Sequence, residues 1–413
     1  MLIIYQFFIT LVLLISPLII LIRLLNGKED RKRFAEKFSL TSHKPVKGKT
    51  IWFHAASVGE IMSIVSILEY YEKKTEIKTI LVTTSTLSSA KIIENLKSTK
   101  IIHQFYPIDH YIIVKKFIDH WKPTIAIFLE SEIWPRMFYE LDRKNVPLIL
   151  LNARLTEKSF NRWMILGSFG KKIFSLVKKT YPQNQQTEYF VKKLGNNNIE
   201  QVGNLKYIEN KNEIKDLSNK KILKNLAKYK IWVAASTHLG EELLAAKAHI
   251  ILKKKEKNLI TIIIPRHINR VSKIVDKLKD LNLNITTYSS KQKNFDNTDI
   301  YIVDTFGLSK NFYQISPTVL LGKSIFHKGG QNPLEASRFN CNILHGPNID
   351  NFKEIYKHLH TLKISKEIKS LNDLTSKIKF KKNYTNSIKL KKISNKIFKK
   401  TIKELNKHLN LCM

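Results

Sequence analysis

Twelve short apolar runs, interleaved with stretches of helical apolar spacing, constrain this chain more than any other feature of its sequence. The first six are Thr50–His54, Thr79–Thr83, Ile101–Gln104, Ile125–Phe128, Leu148–Leu151 and Thr180–Pro182. A second six begins near residue 230: Ile231–Ala234, Leu259–Ile264, Asn284–Tyr288, Ile300–Val303, Thr318–Leu321 and Asn342–Leu344. Runs of this length, without polar alternation and bounded by turn residues, read as strands buried on both faces. Such strands belong to parallel sheets, whose crossovers are helices. Segments such as Ile61–Lys73 and Glu241–Lys255 carry the matching helical period. The expected fold class is therefore α/β, with two doubly wound sheets in series. A length of 413 residues suits two domains of about 150–200 residues each. The expected division is 26–207 for the first domain, a polar Lys/Asn-rich connector at 208–228, and 229–413 for the second.

Ahead of these lie 22 residues without a charge, MLIIYQFFITLVLLISPLIILI. As a helix they reach about 33 Å, close to the roughly 30 Å hydrocarbon core of a bilayer. They lack the basic n-region, short apolar run and small-residue cleavage site of a signal peptide. Arg23, Lys28, Arg31, Lys32 and Arg33 follow, so the positive-inside rule predicts an uncleaved anchor over 1–25 with the rest of the chain cytoplasmic.

The chain holds 71 Lys and Arg against 34 Asp and Glu, a formal net charge of +37. Only ten of the basic residues are Arg, which looks more like nucleotide bias than a phosphate-reading surface. From Lys353 onward, 17 Lys face four acids, a net +13, over an apolar stripe of Ile388, Leu390, Ile393, Ile397, Ile402 and Leu405. A solvated helical face that packs on the core accounts for this tail, and attraction to anionic lipid headgroups is compatible with it. The sequence shows neither an aromatic-interleaved basic motif nor a helix-turn-helix, so nucleic acid is not expected as a partner. Cys341 and Cys412 form no spaced pair, the histidines show no metal-ligand spacing, and neither metal nor cofactor is expected.

The chemistry-bearing residues fall at strand ends. Glu60 follows the run 51–54 across a small-residue turn, where a carboxylate can take a proton from a hydroxyl. Ser57-x-x-Glu60 is equally a capping box, and the local pattern fits both readings. Glu130 and Glu132 follow the run 125–128, with Arg154 a candidate counter-ion. Lys206 lies at the domain junction. In the second series, Pro265 and Arg266 end the run LITIII, and Asp304-Thr305-Phe306-Gly307 ends the run 300–303. Ser236-Thr237-His238 with Glu241 and Glu242 makes a further loop. In KGGQNPLEA, Gly329 and Gly330 permit a tight turn, Asn332 suits an N-cap, Pro333 suits the first helical position, and Glu335 suits a capping box or a ribose contact. The exposed amides of that helix start would suit a phosphate.

Together WFHAASVGE, FLESEIWP, NARLTEKS, GNLKY, AASTHLGEE, IPRHINR, DTFG and GGQNPLEA, in this order and spacing, resemble the 3-deoxy-D-manno-octulosonic acid (Kdo) transferases of lipopolysaccharide synthesis. The resemblance runs from the anchor, through RFAEKF, to about residue 356. It implies a GT-B glycosyltransferase, two Rossmann-like domains facing a cleft, with CMP-Kdo as donor and a lipid A precursor (lipid IVA) as acceptor at the bacterial inner membrane. It further implies Glu60 as general base, with inversion and without metal. Glu130 and Lys206 would stabilise the transition state. CMP would be held by Pro265, Arg266, Phe306, Gly307 and the segment Asn332, Pro333, Leu334 and Glu335. The chain departs from the family pattern at Leu308, where Glu is usual, so only the backbone there can serve the donor. Gln331 for His is milder, because it retains a donor and an acceptor. The alternative enzyme is another membrane-associated GT-B transferase using a UDP-sugar and a lipid acceptor. The alternative outside catalysis is a polybasic membrane or nucleic-acid-binding protein, resting on net charge alone. The number of Kdo residues transferred and the oligomeric state are not encoded in these motifs.

Overall fold

A computed structural model describes residues 1–209, 220–292 and 294–410. Its backbone contacts divide it into two compact units, Met1–Lys211 with Ile393–Met413, and Asn212–Lys392. Residues 210–219, close to half of the expected connector, lie outside the described residues, as does Cys412. A helix, Lys220–Leu226, fills part of the remainder.

The first unit contains β1 (Lys49–His54), β2 (Ile77–Thr84), β3 (Ile101–Phe105), β4 (Ile125–Leu129), β5 (Leu148–Ala153) and β6 (Lys179–Pro182). All pair in parallel in the order β3-β2-β1-β4-β5-β6. Chain direction across the sheet reverses between β1 and β4, and ligands of open α/β sheets bind at that switch point, outside the carboxyl ends of the strands. The continuous apolar runs have a physical cause here: β4 and β5 are buried at every position. Trp52 of β1 packs at 4.8 Å from Phe117 and 5.0 Å from Phe128, between sheet and helix Tyr111–Trp121. Its indole N–H is satisfied by Thr83 Oγ1 at 2.9 Å. Burying such side chains stabilises the unit by about 1.5–3 kcal/mol each.

The second unit contains β7 (Lys230–Thr237), β8 (Leu259–Pro265), β9 (Ile285–Thr287), β10 (Ile300–Ile302), β11 (Thr318–Leu321), β12 (Asn342–His345) and β13 (Ser365–Glu367). These too are all parallel, in the order β13-β12-β11-β7-β8-β10-β9, with the switch point between β7 and β11. All twelve expected strands are present within two or three residues of their expected ends. β13 was not anticipated, because Ser-Lys-Glu has no apolar run, and pairing with β12 alone makes it a strand.

The uncharged N-terminus forms one helix, Leu2–Leu25, long and apolar enough to cross a membrane. Tyr5, Gln6, Ile9, Leu13, Ser16 and Ile20 form its less exposed stripe, while Ile3, Phe7, Phe8, Leu14 and Leu18 are bare. Tyr5 donates to Asp109 Oδ2 at 2.6 Å, and Arg23 pairs with Glu29 at 2.8 Å. The basic tail forms the helix Thr385–Leu409. Leu390, Ile397, Ile402 and Leu405 of its stripe are buried, whereas Ile388 is exposed. From Ile393 on, this helix groups with the first unit rather than with the residues preceding it.

Candidate active site

In the first unit, the turn after β1 and the turn after β4 bring three carboxylates to the sheet's switch point. Ser57 is the N-cap of the helix Val58–Glu72, and its Oγ accepts from the Glu60 N–H at 3.4 Å. The same hydroxyl donates to Glu60 Oε1 at 2.8 Å, and the Ala56 N–H donates to Oε2 at 2.8 Å. The capping arrangement is therefore real, with Ala56 N–H taking the place of the usual N-cap amide. It uses two of the roughly four lone-pair positions of the carboxylate and leaves the others free. Burial pushes the Glu60 pKa up to about 7; the Ser57 and Ala56 bonds oppose this, and the negative charges of Glu130 and Glu132 reinforce it.

Glu130 begins the turn after β4 with φ +50°, a left-handed backbone unusual for a residue with a side chain. Lys206 Nζ lies 2.7 Å from its Oε1, and both side chains are largely buried. Asn152, at the end of β5 and also left-handed at φ +53°, donates to Glu130 Oε1 at 3.4 Å and accepts from the Leu205 N–H at 3.0 Å. Asn152 thus ties the Lys206 segment to the Glu130 turn. The expected counter-ion, Arg154, instead meets Glu130 through its backbone, N–H to carbonyl at 3.2 Å. Glu132 is held by His54 Nε2 at 3.1 Å and by the Trp134 indole at 3.0 Å. Burial works against its charge, but these two bonds outweigh it and hold Glu132 below the usual carboxylate range. His54, fully buried, stacks on Tyr106 at 3.9 Å and contacts Thr83 Oγ1 at 2.9 Å. The sequence contained that signal only as a histidine at the end of β1, without its partner.

In the second unit a cavity of about 290 Å³ opens at the carboxyl edge of the sheet. Of the expected donor residues, Pro265, Arg266, Phe306, Gly307 and Glu335 line it. Leu308, Asn332, Pro333 and Leu334 are not among its walls; Leu308 and Leu334 are buried in the core. Gly307 adopts φ +86° with open space where a side chain would project, so its backbone faces the cavity unobstructed. Ser236, Ser309 and Lys310 also line it, and Lys310 lies 3.4 Å from Glu335. A lysine in so Lys-rich a chain offers no sequence signal. The helix after Gly329-Gly330 starts one residue later than expected, at Leu334, and spans five residues. Pro333 rather than Asn332 is therefore the N-cap, and Asn332 Oδ1, one residue before it, accepts from the Leu334 N–H at 3.0 Å.

Around the β7–β11 switch point the loops are locked by one buried side chain. Glu241 accepts from the backbone N–H groups of His238, Lys323, Ser324 and Ile325 at 2.8–3.2 Å. A Cβ on Gly322 would stand 2.4 Å from the Ser236 carbonyl oxygen and 2.6 Å from Glu241 Oε2, so this strand end admits only glycine.

Residues 32–209 match the family described as 3-deoxy-D-manno-octulosonic-acid transferase (kdotransferase). The chain is 34% identical to the 3-deoxy-D-manno-octulosonic acid transferase of Rickettsia bellii, covering 94% of this chain and 92% of that protein. It is 30% identical to the enzyme of the same description from Haemophilus influenzae, over 89% and 88% of the two chains. Among solved structures, a putative UDP-N-acetylglucosamine 2-epimerase from Listeria monocytogenes superposes with a TM-score of 0.55 at 13% identity, covering 85% of this chain and 90% of that one. The last likeness concerns the fold alone, an α/β architecture of the GT-B type.

Proposed function

The chain belongs to the 3-deoxy-D-manno-octulosonic acid transferase family of glycosyltransferases, and from that premise we propose that it moves Kdo from CMP-Kdo to a lipid A precursor, lipid IVA, with Glu60 as general base. The observation that carries the mechanism is the state of Glu60: a carboxylate at a switch point, with lone pairs free and a pKa raised to about 7. A base is most effective when its pKa lies near the working pH. Glu60 takes the proton of the acceptor hydroxyl as that oxygen bonds to the anomeric carbon of Kdo. The bond from that carbon to the CMP phosphate breaks, its electron pair leaves with CMP, and the configuration inverts. The Lys206–Glu130 pair supplies fixed charge beside the base, where it stabilises the transition state without reorganising. In the second unit, Arg266 and the Gly307 backbone border a cavity suited to the CMP phosphate. The apolar N-terminal helix and the basic residues after it suit an enzyme of the inner membrane that works on a lipid from the cytoplasmic side, drawn to anionic headgroups.

Glu60→Gln tests the assignment, because the glutamine carbonyl can still accept from Ala56 N–H and its NH2 can donate to the Ser57 hydroxyl, while the side chain cannot accept the proton. Product analysis with lipid IVA and CMP-Kdo should show transfer reduced at least about a hundredfold, with the protein still folded and still binding CMP. Transfer at the normal rate would place the base elsewhere.

A further inference from the structure

Three histidines from three different strand-end loops come together at the switch point of the second sheet. The ring of His238, after β7, lies 5.5 Å from that of His327, after β11, and 5.8 Å from that of His267, after β8. His238 Nδ1 donates to the Ser236 carbonyl at 3.1 Å, which leaves Nε2 as its outward nitrogen. His327 Nδ1 is buried without a hydrogen-bond partner. A buried polar atom left unpaired is costly, and a site that waits for a ligand is one reason to retain it. Burial holds the His238 pKa low, against the Ser236 bond and the Glu241 carboxylate, and the neighbouring Lys323 adds to the lowering. Glu241 already accepts four backbone N–H groups that fix the His238 and His327 loops, so the cluster is held rigid. No group of three or more His, Cys, Asp or Glu among the described residues is arranged to hold a metal ion. With Nδ1 committed to Ser236, a neutral His238 presents Nε2 as an acceptor, so an anionic oxygen is held there together with a proton taken up at Nε2, the imidazolium then donating to it.

We infer that His238, His267 and His327 form a subsite for the carboxylate of the donor sugar, adjoining the phosphate region of the Arg266 cavity. The inference rests on the reading of CMP-Kdo as donor. In that donor one carbon bears both the carboxylate and the oxygen linked to phosphate, so the groups that bind the two anions must be neighbours. The structure meets this condition twice: Arg266 and His267 are consecutive, and Ser236, which lines the cavity, holds His238. The cluster thereby distinguishes an ulosonic acid donor from a neutral nucleotide sugar.

The test is calorimetric titration of the full-length protein with CMP and with CMP-Kdo. His238→Asn and His327→Asn should bind CMP as the wild type does and bind CMP-Kdo at least about tenfold more weakly. Arg266→Ala should weaken both ligands. Should either substitution prevent folding, judged by thermal melting, His267→Ala on the exposed rim makes the same comparison. Undiminished CMP-Kdo affinity in the histidine variants overturns the subsite while leaving the donor assignment intact. Equal losses for CMP and CMP-Kdo would assign the cluster to the phosphate and also overturn it. Failure of the wild type to bind CMP-Kdo at all would instead refute the donor reading.

Discussion

Lys206 Nζ and Glu130 Oε1 stand 2.7 Å apart, with side-chain exposures of 15% and 8%. At that depth neither charge is well hydrated, so each depends on the other. Lys206→Ala should lower stability by about 3–5 kcal/mol, because removal of one partner leaves a buried charge unpaired. Urea melts would show the loss, and the double variant Lys206→Met/Glu130→Gln should recover much of it. A single variant as stable as the wild type would mean that the pair is screened by solvent.

Glu60 makes a second prediction through proton linkage. Its folded-state pKa, about 7, lies above the ordinary carboxyl value of 4.5, so the native state holds the proton more tightly than the unfolded chain does. That contribution is fully present below about pH 4.5 and is lost as pH rises through 7. Glu60→Gln removes the penalty. Its melting temperature relative to wild type should therefore climb between pH 5 and pH 8, by an amount equivalent to roughly 2–3 kcal/mol. A difference independent of pH would show that Glu60 titrates normally. Gains in stability accompanied by loss of transfer would separate catalysis from capping at this one position.

A third prediction concerns Glu241. Glu241→Ala strands the amides of His238, Lys323, Ser324 and Ile325 in a buried site, at a cost of about 1–3 kcal/mol for each that water cannot reach. Hydrogen exchange should show lost protection in residues 322–325, together with weaker CMP-Kdo binding. Retained protection at those amides would assign their stability to other contacts.

The N-terminal helix carries the fourth. Deleting residues 1–22 should move the protein toward the soluble fraction while removing the Tyr5 donor from buried Asp109. Tyr5→Phe separates the two effects: it should leave membrane association unchanged and lower stability by about 1–3 kcal/mol. Unchanged melting in Tyr5→Phe would mean that the hydrogen bond is replaced by water.

The strands were legible because a sheet buried on both faces demands unbroken apolar runs, and β1, β4, β5 and β8 supply them. Glu60 and Glu130 were legible for a related reason: each follows such a run. Pairings across the chain were not. His54 with Glu132, and Asn152 between Glu130 and Leu205, depend on side-chain reach that no spacing encodes. Lys310 beside Glu335 was hidden by the abundance of lysine. Conversely, Leu308 stands out in the sequence as the residue where a carboxylate is usual, yet its side chain is buried away from the cavity walls.

Glu130 and Asn152 share a left-handed backbone that only glycine adopts freely, at a cost of about 1–2 kcal/mol each. Selection for robustness alone would drift both positions toward glycine, and with them would go the carboxylate and the amide that hold Lys206. Thermostable descendants of this chain obtained without an activity screen would therefore tend to be inert. Where these two residues persist in a lineage, they record continued demand for the reaction rather than for the fold.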